Sequence, residues 1–513
     1  MLFNSAEYLF LFLPLALVVY LFLARRGGKE TQFLWLVLVS MFFYAVWEPV
    51  YLALILGSIT ANFIFGKKLA YARGRSRHWW LVLGLTFNLG LLAYFKYTGF
   101  FVETLNHFWL WLIPLPEITL PLAISFFTFQ QIAYLVDVSR GECEEYEFRH
   151  YALFVLFFPQ LIAGPIVHHK EMMPQFLQPR QRQQYSADFA VGITFIAIGL
   201  FKKVVIADSL ALIVDPVFAA ADQGETLNSI DALLGMFAFS FQIYFDFSGY
   251  SDIAIGSARL FGIKLPENFR SPYKSRSIIE IWRRWHMTLS KFLRDYLYFS
   301  FGGNRFGLAR RYRNLMLTML LGGLWHGAAW TFVIWGGLHG LYLCINHAWR
   351  ALLDRVGLRQ FFAGPGFQPA YLVLTFLVWS IAFVVFRAPD VAAAWAILEP
   401  ALLELSLETP RLLEEVFTDK TLGKLISFTD MATVAYFPIY FVMAMAAAIC
   451  WLLPNTQQFL LQQSPLIIPE GDPIKPGWLV WKPGLAMAGI IAFMLVISLL
   501  SLSSLSRFIY FQF

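Results

Sequence analysis

The sequence predicts an all-α protein that crosses a membrane many times, and three observations carry that expectation. Of 513 residues, 58% are hydrophobic and only 14% charged, whereas in a soluble globular domain about a quarter are charged. Several apolar runs exceed the ~18 residues needed to span ~30 Å of hydrocarbon. The basic residues lie between those runs, so the net charge of +6 reads as positive-inside topology and not as a nucleic-acid surface.

The runs fall at roughly 8–23, 33–46, 50–65, 79–95, 119–137, 371–387, 434–453 and 483–504. The first reads as a retained span and not as a signal peptide. Glu7 precedes it without a Lys or Arg, and Arg25 and Arg26 stand where a small-residue cleavage site would lie. A turn at Trp47-Glu48-Pro49 lets the two basic connections, with Arg25, Arg26 and Lys29, and with Lys67, Lys68, Arg73, Arg75 and Arg77, share the cytoplasmic side.

Segment 264–313 holds twelve Lys or Arg against three Asp or Glu, a surplus of nine that exceeds that of the whole chain. Segment 388–433 holds eight acids against three bases. If the first is cytoplasmic, two crossings return the chain inside at 350–366, and span 371–387 carries the acidic segment outside. This parity agrees with the charge rule.

Between 151 and 263 the apolar runs are interrupted by Pro159, Gly164, Pro165, Lys202 and Lys203. Re-entrant or half-crossing segments are expected there, buried in protein or lining a cavity. No repeat and no long polar linker divides the chain. One membrane domain therefore covers 1–513, with a motif-bearing core at about 120–350. Cys143, Cys344 and Cys450 are too scattered for a disulfide framework or a zinc pattern.

From Leu315 to Trp349 the chain runs thirty-five residues without Asp, Glu, Lys or Arg. One helix of that length would measure about 52 Å, too long for a single crossing, so two crossings should meet around 330–335. His326 then lies about 16 Å deep, near the midplane. A charge there costs a few kcal/mol or more, which makes His326 a functional candidate beside the plainer reading of a hydrogen-bonded structural imidazole. Gly323 and Gly327 flank His326, and Gly336 and Gly340 flank His339, at a spacing that lets helices approach closely. His339 reads as structural and His347 as interfacial.

Residues 278–299 carry Trp282, Trp285, Leu289, Phe292, Leu293 and Tyr296 on one stripe of a helix, with Glu280, Arg283, Arg284, Lys291, Arg294 and Asp295 largely opposite. This reads as an interfacial amphipathic helix, with His286 on the apolar stripe turned toward the membrane interior. In 244–252, Asp246 and Asp252 close an apolar run around Ser248, Gly249, Tyr250 and Ser251. Such carboxylates need partners, which Arg or His from the basic segment could supply; lining a reaction tunnel is the other reading.

There is no Gly-x-Ser-x-Gly elbow, Walker loop, His-Glu-x-x-His or Cys-x-x-Cys, and adjacent His168 and His169 do not by themselves make a metal site. What remains is chemistry that a lone imidazole performs, abstracting a hydroxyl proton so that the oxygen attacks an acyl group.

The strings Trp282-Arg-Arg-Trp-His286, Leu293-Arg-Asp-Tyr-Leu-Tyr298, Gly302-Gly-Asn-Arg305 and Leu320-Leu-Gly-Gly-Leu-Trp-His-Gly327 resemble the membrane-bound O-acyltransferase (MBOAT) family. The bacterial polysaccharide branch, whose members serve alginate O-acetylation, is the closest in appearance. Residues 244–252, Phe158-Pro-Gln-Leu-Ile-Ala-Gly-Pro165, Tyr94-Phe-Lys-Tyr97 and Phe508-Ile-Tyr-Phe-Gln-Phe513 fit the same branch.

The resemblance implies a ring of about eleven transmembrane helices around a central tunnel, in a bacterial inner membrane. It implies that His326 is catalytic and that His286 is the second family histidine, either orienting His326 or holding the thioester carbonyl. Trp325, Trp285, Asp246, Tyr250, Arg283, Arg284 and Asn304 become candidates for lining the tunnel or binding the donor. The expected donor is acetyl-CoA or another acetyl thioester, with no permanently bound cofactor and no metal. Expected partners are the bilayer, periplasmic polysaccharide O-acetyltransferases and a cytoplasmic acyl carrier, with no nucleic acid. Alginate is the expected polymer. Cellulose, peptidoglycan or D-alanylated teichoic acid are alternatives within the family, and a non-enzymatic transporter is a distant one.

Overall fold

The computed structural model describes residues 2–26, 28–109, 112–143, 147–162, 164–177, 184–404, 409–413, 432–463, 474–502 and 509. Among them, six helices are long and apolar enough to cross a membrane: Glu7–Arg26, Pro49–Tyr71, Gly74–Trp109, Gln184–Asp222, Ser229–Leu260 and Pro365–Arg387. Pro438–Leu452 and Leu485–Leu500 are shorter apolar helices. Apart from Ile509, the terminal string 508–513 lies outside the described residues, as does much of the acidic segment 388–433.

The helix Ser229–Leu260 is the core of the bundle. Nearly every side chain along its last 24 residues is buried, as expected of a helix that is apolar all round. The side chain of Asn228 starts it by accepting the backbone N–H of Asp231 at 2.8 Å. Gly262, at φ +79°, takes the left-handed turn that ends it. Its neighbour Gln184–Asp222 approaches closely because glycines face each other in pairs. A Cβ on Gly199 would sit 2.6 Å from the carbonyl oxygen of Gly249, and one on Gly256 would sit 2.6 Å from that of Gly192.

Lys202 and Lys203 do not interrupt this neighbour, contrary to the expectation from sequence. The helix runs through them with a widened turn at Phe201–Ala207. Each ammonium group is paired, which removes the penalty that would have broken the span. Lys202 lies 2.7 Å from Asp252, and Lys203 lies 2.8 Å from both Asp246 and Asp208. The partners of Asp246 and Asp252 are therefore lysines of an adjacent helix, not Arg or His of the basic segment.

Residues 151–167 form short buried pieces, Phe148–Leu156 and Phe158–Leu161, in keeping with a non-crossing segment enclosed by protein. The long apolar run also divides as expected, into Leu308–His326 and Trp330–Arg355. The break falls at 327–329, slightly earlier than the sequence suggested. Glycines zip the two halves: a Cβ on Gly323 would collide with the carbonyl of Phe332, and one on Gly336 with that of Met319.

A second correction concerns 278–299. This stretch is not one amphipathic helix but Ile278–Trp282 and Met287–Phe292, with a widened turn continuing to Tyr298. The chain breaks because 284–287 pairs with 268–270: the N–H of Arg270 donates to the carbonyl of Arg284, and that of Met287 to the carbonyl of Asn268, both at 2.9 Å. His286 sits in this break at φ +42°. That left-handed conformation costs a β-carbon-bearing residue of order 1 kcal/mol or more, and the cross-pairing holds it in place.

Candidate functional site

The two breaks bring His286 and His326 to the same place. His326 is the last residue of its helix, so its ring leaves a helix end and is not confined to a helix side. That end lies inside the bundle, where bare carbonyls are costly. They are capped by a neighbouring helix: the hydroxyl of Tyr97 donates to the carbonyl of Leu324 at 2.7 Å. The ammonium group of Lys96 donates to the carbonyls of Trp325 and His326 at 2.5 and 3.1 Å. A cation at a helix C-terminus also suits the helix dipole.

Trp325 stands between the histidines. Its ring centroid is 4.9 Å from that of His326 and 6.2 Å from that of His286. His326 is further enclosed by Trp335 at 5.0 Å and Phe386 at 5.3 Å, and His286 by Phe247 at 4.8 Å. His286 is fully buried and His326 nearly so. Around them, the indole N–H groups of Trp282, Trp325, Trp335 and Trp379, Nε2 of His286 and both ring nitrogens of His339 have no hydrogen-bond partner among the described residues. A buried donor or acceptor left unpaired costs about 1–3 kcal/mol. Such a concentration of unpaired polar atoms suits this buried aromatic cluster, hereafter the chamber, to a substrate that brings polar atoms.

Two cavities lie at the two ends of the helix Leu308–His326, one lined by residues just past its C-terminus and one by residues just before its N-terminus. One, of about 700 Å³, is lined by Lys96, Ala328, Phe332, Phe386, Arg387 and Asp215, and so reaches side chains that touch His326. The other, of about 580 Å³, lies at the basic end and is lined by Asp137, Arg140, His168, Tyr296, Asn304 and Arg305, among others. At its rim Lys170 lies 2.9 Å from Glu142 and holds that carboxyl below its usual value. At its floor the hydroxyl of Tyr296 donates to Asp137 at 2.7 Å and lies 3.0 Å from Nδ1 of His168. An aromatic column joins this floor to the histidines. Tyr296 meets Phe292 at 4.9 Å, Phe292 stacks on Phe129 at 4.1 Å, and Phe129 stacks on Trp325 at 5.1 Å.

The sequence-derived candidates thus divide. His286, His326 and Trp325 come together. Trp285 lies one layer away, against Trp379 at 5.9 Å and Phe383 at 5.2 Å. Asn304 lines the basic-end cavity. Arg283 and Arg284 line a separate basic pocket of about 450 Å³ with Arg270, Lys274 and Lys475, where Arg284 pairs with Glu280 at 2.8 Å. Asp246 and Tyr250 bind the fold together: Asp246 accepts the N–H of Ile509 as well as pairing with Lys203. The hydroxyl of Tyr250 donates to Asn4 at 3.2 Å. His168 and His169 diverge, the second ring lying 3.0 Å from the sulfur of Cys143. Sequence reasoning missed Lys96, Asn268, Phe129 and Trp335 as parts of the site. Only Lys96 carried a signal, as a charge within the family-like string Tyr94-Phe-Lys-Tyr97 at the edge of an apolar run.

Comparison with known proteins gives a consistent result. The family model for MBOAT, the membrane-bound O-acyltransferase family, matches residues 143–386. A peptidoglycan O-acetyltransferase of Helicobacter pylori is 44% identical over 78% of this chain and 79% of its own. A probable alginate O-acetylase AlgI of Pseudomonas aeruginosa is 43% identical over 78% and 74% respectively. Its counterpart from Pseudomonas fluorescens is 35% identical over the whole of both chains.

Proposed function

Since this chain belongs to the membrane-bound O-acyltransferase family, we propose that it takes an acetyl group from a thioester at the basic end of the bundle and passes it to a hydroxyl at the other. The product is an O-acetylated exported polysaccharide, with alginate as the polymer. The observation that carries this reading is the position of His326 at the end of a helix, against Phe386 of the cavity at that end, with the basic-end cavity at the helix's other end. Such a route lets acetyl cross while its anionic carrier stays outside the hydrocarbon, where charges are costly.

The chemistry needs one base. The imidazole of His326 removes the acceptor's hydroxyl proton as the oxygen attacks the thioester carbonyl. The carbon–sulfur bond then breaks, and the departing thiolate takes the proton back from His326. Base catalysis of this kind contributes about 10²–10⁴-fold. The donor is acetyl-CoA or an acetylated carrier protein, whose acidic groups suit the basic end. The acceptor hydroxyl is presented by a periplasmic acetyltransferase, which receives the acetyl group and passes it on to the polymer.

Alginate is supported by two relatives named as probable alginate O-acetylases, one alignable along its whole length. The 44% identity to a peptidoglycan O-acetyltransferase supports peptidoglycan as the second reading. Replacement of His326 by Ala or Gln in the native host tests both. Acetyl esters should vanish from the polymer while the protein stays at parental level in the membrane. Loss from the secreted polysaccharide favours alginate, and loss from the wall favours peptidoglycan. Undiminished acetylation in either variant refutes the base assignment.

A further inference from the structure

Fully buried Asn268 lies on the segment that cross-pairs with the His286 break. Its side-chain oxygen faces three groups at once: the hydroxyl of Thr288 at 2.9 Å, the backbone N–H of Thr288 at 3.4 Å, and Nδ1 of His286 at 3.0 Å. The backbone N–H only donates, so the amide must present its oxygen and not its nitrogen. The Thr288 hydroxyl accepts the N–H of Ile166 at 3.1 Å, which leaves its own hydrogen for Asn268. On the far side, the Asn268 amide nitrogen donates to Ser251 at 3.2 Å.

An acceptor opposite Nδ1 requires a hydrogen on Nδ1. A neutral imidazole carries one hydrogen, so its Nε2 then holds only a lone pair. That Nε2 has no hydrogen-bond partner among the described residues and lies in the chamber beside Trp325. The left-handed backbone of His286 is held by the same segment, through the Met287-to-Asn268 hydrogen bond. One short stretch of chain thus sets both the place and the tautomer of this ring.

We propose that Asn268 is a positioning residue that locks His286 as the Nδ1–H tautomer, so that His286 meets the reacting groups as a hydrogen-bond acceptor. This rests on the reading of the chamber as the acyl-transfer site and decides between the two roles left open for His286. A neutral ring so held cannot donate to the thioester carbonyl. It accepts a hydrogen from the acceptor hydroxyl or from the imidazole of His326. Donors for a developing oxyanion are then the indole N–H groups of the chamber, of which Trp325 is nearest to both histidines. Indole only donates, and one donor aimed at developing charge is worth about 10²–10³-fold in kcat.

The test compares the parent with Asn268→Leu and Asn268→Asp, purified in lipid nanodiscs. Ring nitrogen NMR of ¹⁵N-histidine-labelled protein reads the tautomer, with the His286 signals assigned by their loss in His286→Gln. Thiol release from acetyl-CoA reads kcat and KM. The parent and Asn268→Asp should show Nδ1–H. Asn268→Leu should lose that preference and at least about tenfold in kcat, as expected where a group that orients the reacting atoms is mispositioned, with KM within about twofold. Unchanged kcat in a folded Asn268→Leu variant, or an Nε2–H signal in the parent, overturns the proposal. A parent inactive on acetyl-CoA would count against that donor, and the spectrum would still decide the tautomer.

Discussion

The ammonium group of Lys96 lies 3.1 Å from the carbonyl oxygen of His326 and 2.5 Å from that of Trp325. It ties the Gly74–Trp109 helix to the residue proposed as base and caps the end of the helix Leu308–His326.

Replacing Lys96 with Met leaves two buried carbonyls without their donor. Stability should fall by about 2 kcal/mol, and transfer should fall more than tenfold as the helix end that carries His326 loses its anchor. Lys96→Arg should retain part of both. Thermal unfolding in detergent and thiol release from an acetyl thioester measure the two effects. A Lys96→Met variant with parental values in both would show that the cap is dispensable.

Lys203 joins the helices Gln184–Asp222 and Ser229–Leu260 through Asp246, and within its own helix it pairs with Asp208. Lys203→Met leaves two carboxylates facing an apolar side chain, and removing one partner of a buried pair costs about 3–5 kcal/mol. Adding Asp246→Asn and Asp208→Asn should restore much of that loss. Activity per folded molecule should stay near parental in the triple variant, because these groups hold helices together and do not touch the chamber. A triple variant that is stable but inactive would return Asp246 to the reaction path.

Phe129 fills the column between the basic-end cavity and Trp325. Phe129→Ala should admit longer acyl groups, raising butyryl over acetyl transfer by about tenfold, the scale on which a methylene or two is discriminated in an apolar pocket. Parallel kcat/KM values for the two thioesters measure this. An unchanged ratio would mean that the acyl group does not travel along this column.

Much of the fold was legible because hydrocarbon imposes a simple rule: long apolar runs become spans, and basic connections stay on one side. The division of 315–349 followed from length alone, and the glycines flanking His326 and His339 proved to be where the two halves meet. Residues 201–203 and 278–299 misled for opposite reasons. Lysines in an apolar run look like a break until Asp246 and Asp252 supply charge partners from about fifty positions away, beside Asp208 one turn on. A continuous helical stripe looks like a helix until residues 268–270 pair across it and turn His286 inward.

The site divides along the same line. Sequence alone determined the class of protein and the family it resembles, and it singled out the two histidines, because hydropathy and motif strings are local properties of the chain. Only the tertiary structure decided that His326 ends a helix capped by Lys96, that Trp325 stands between the rings, and that Asn268 faces Nδ1 of His286. Those relations join residues separated by 18 to 230 positions. A hydrogen bond depends on distance and direction in space, and the order of residues along the chain carries neither.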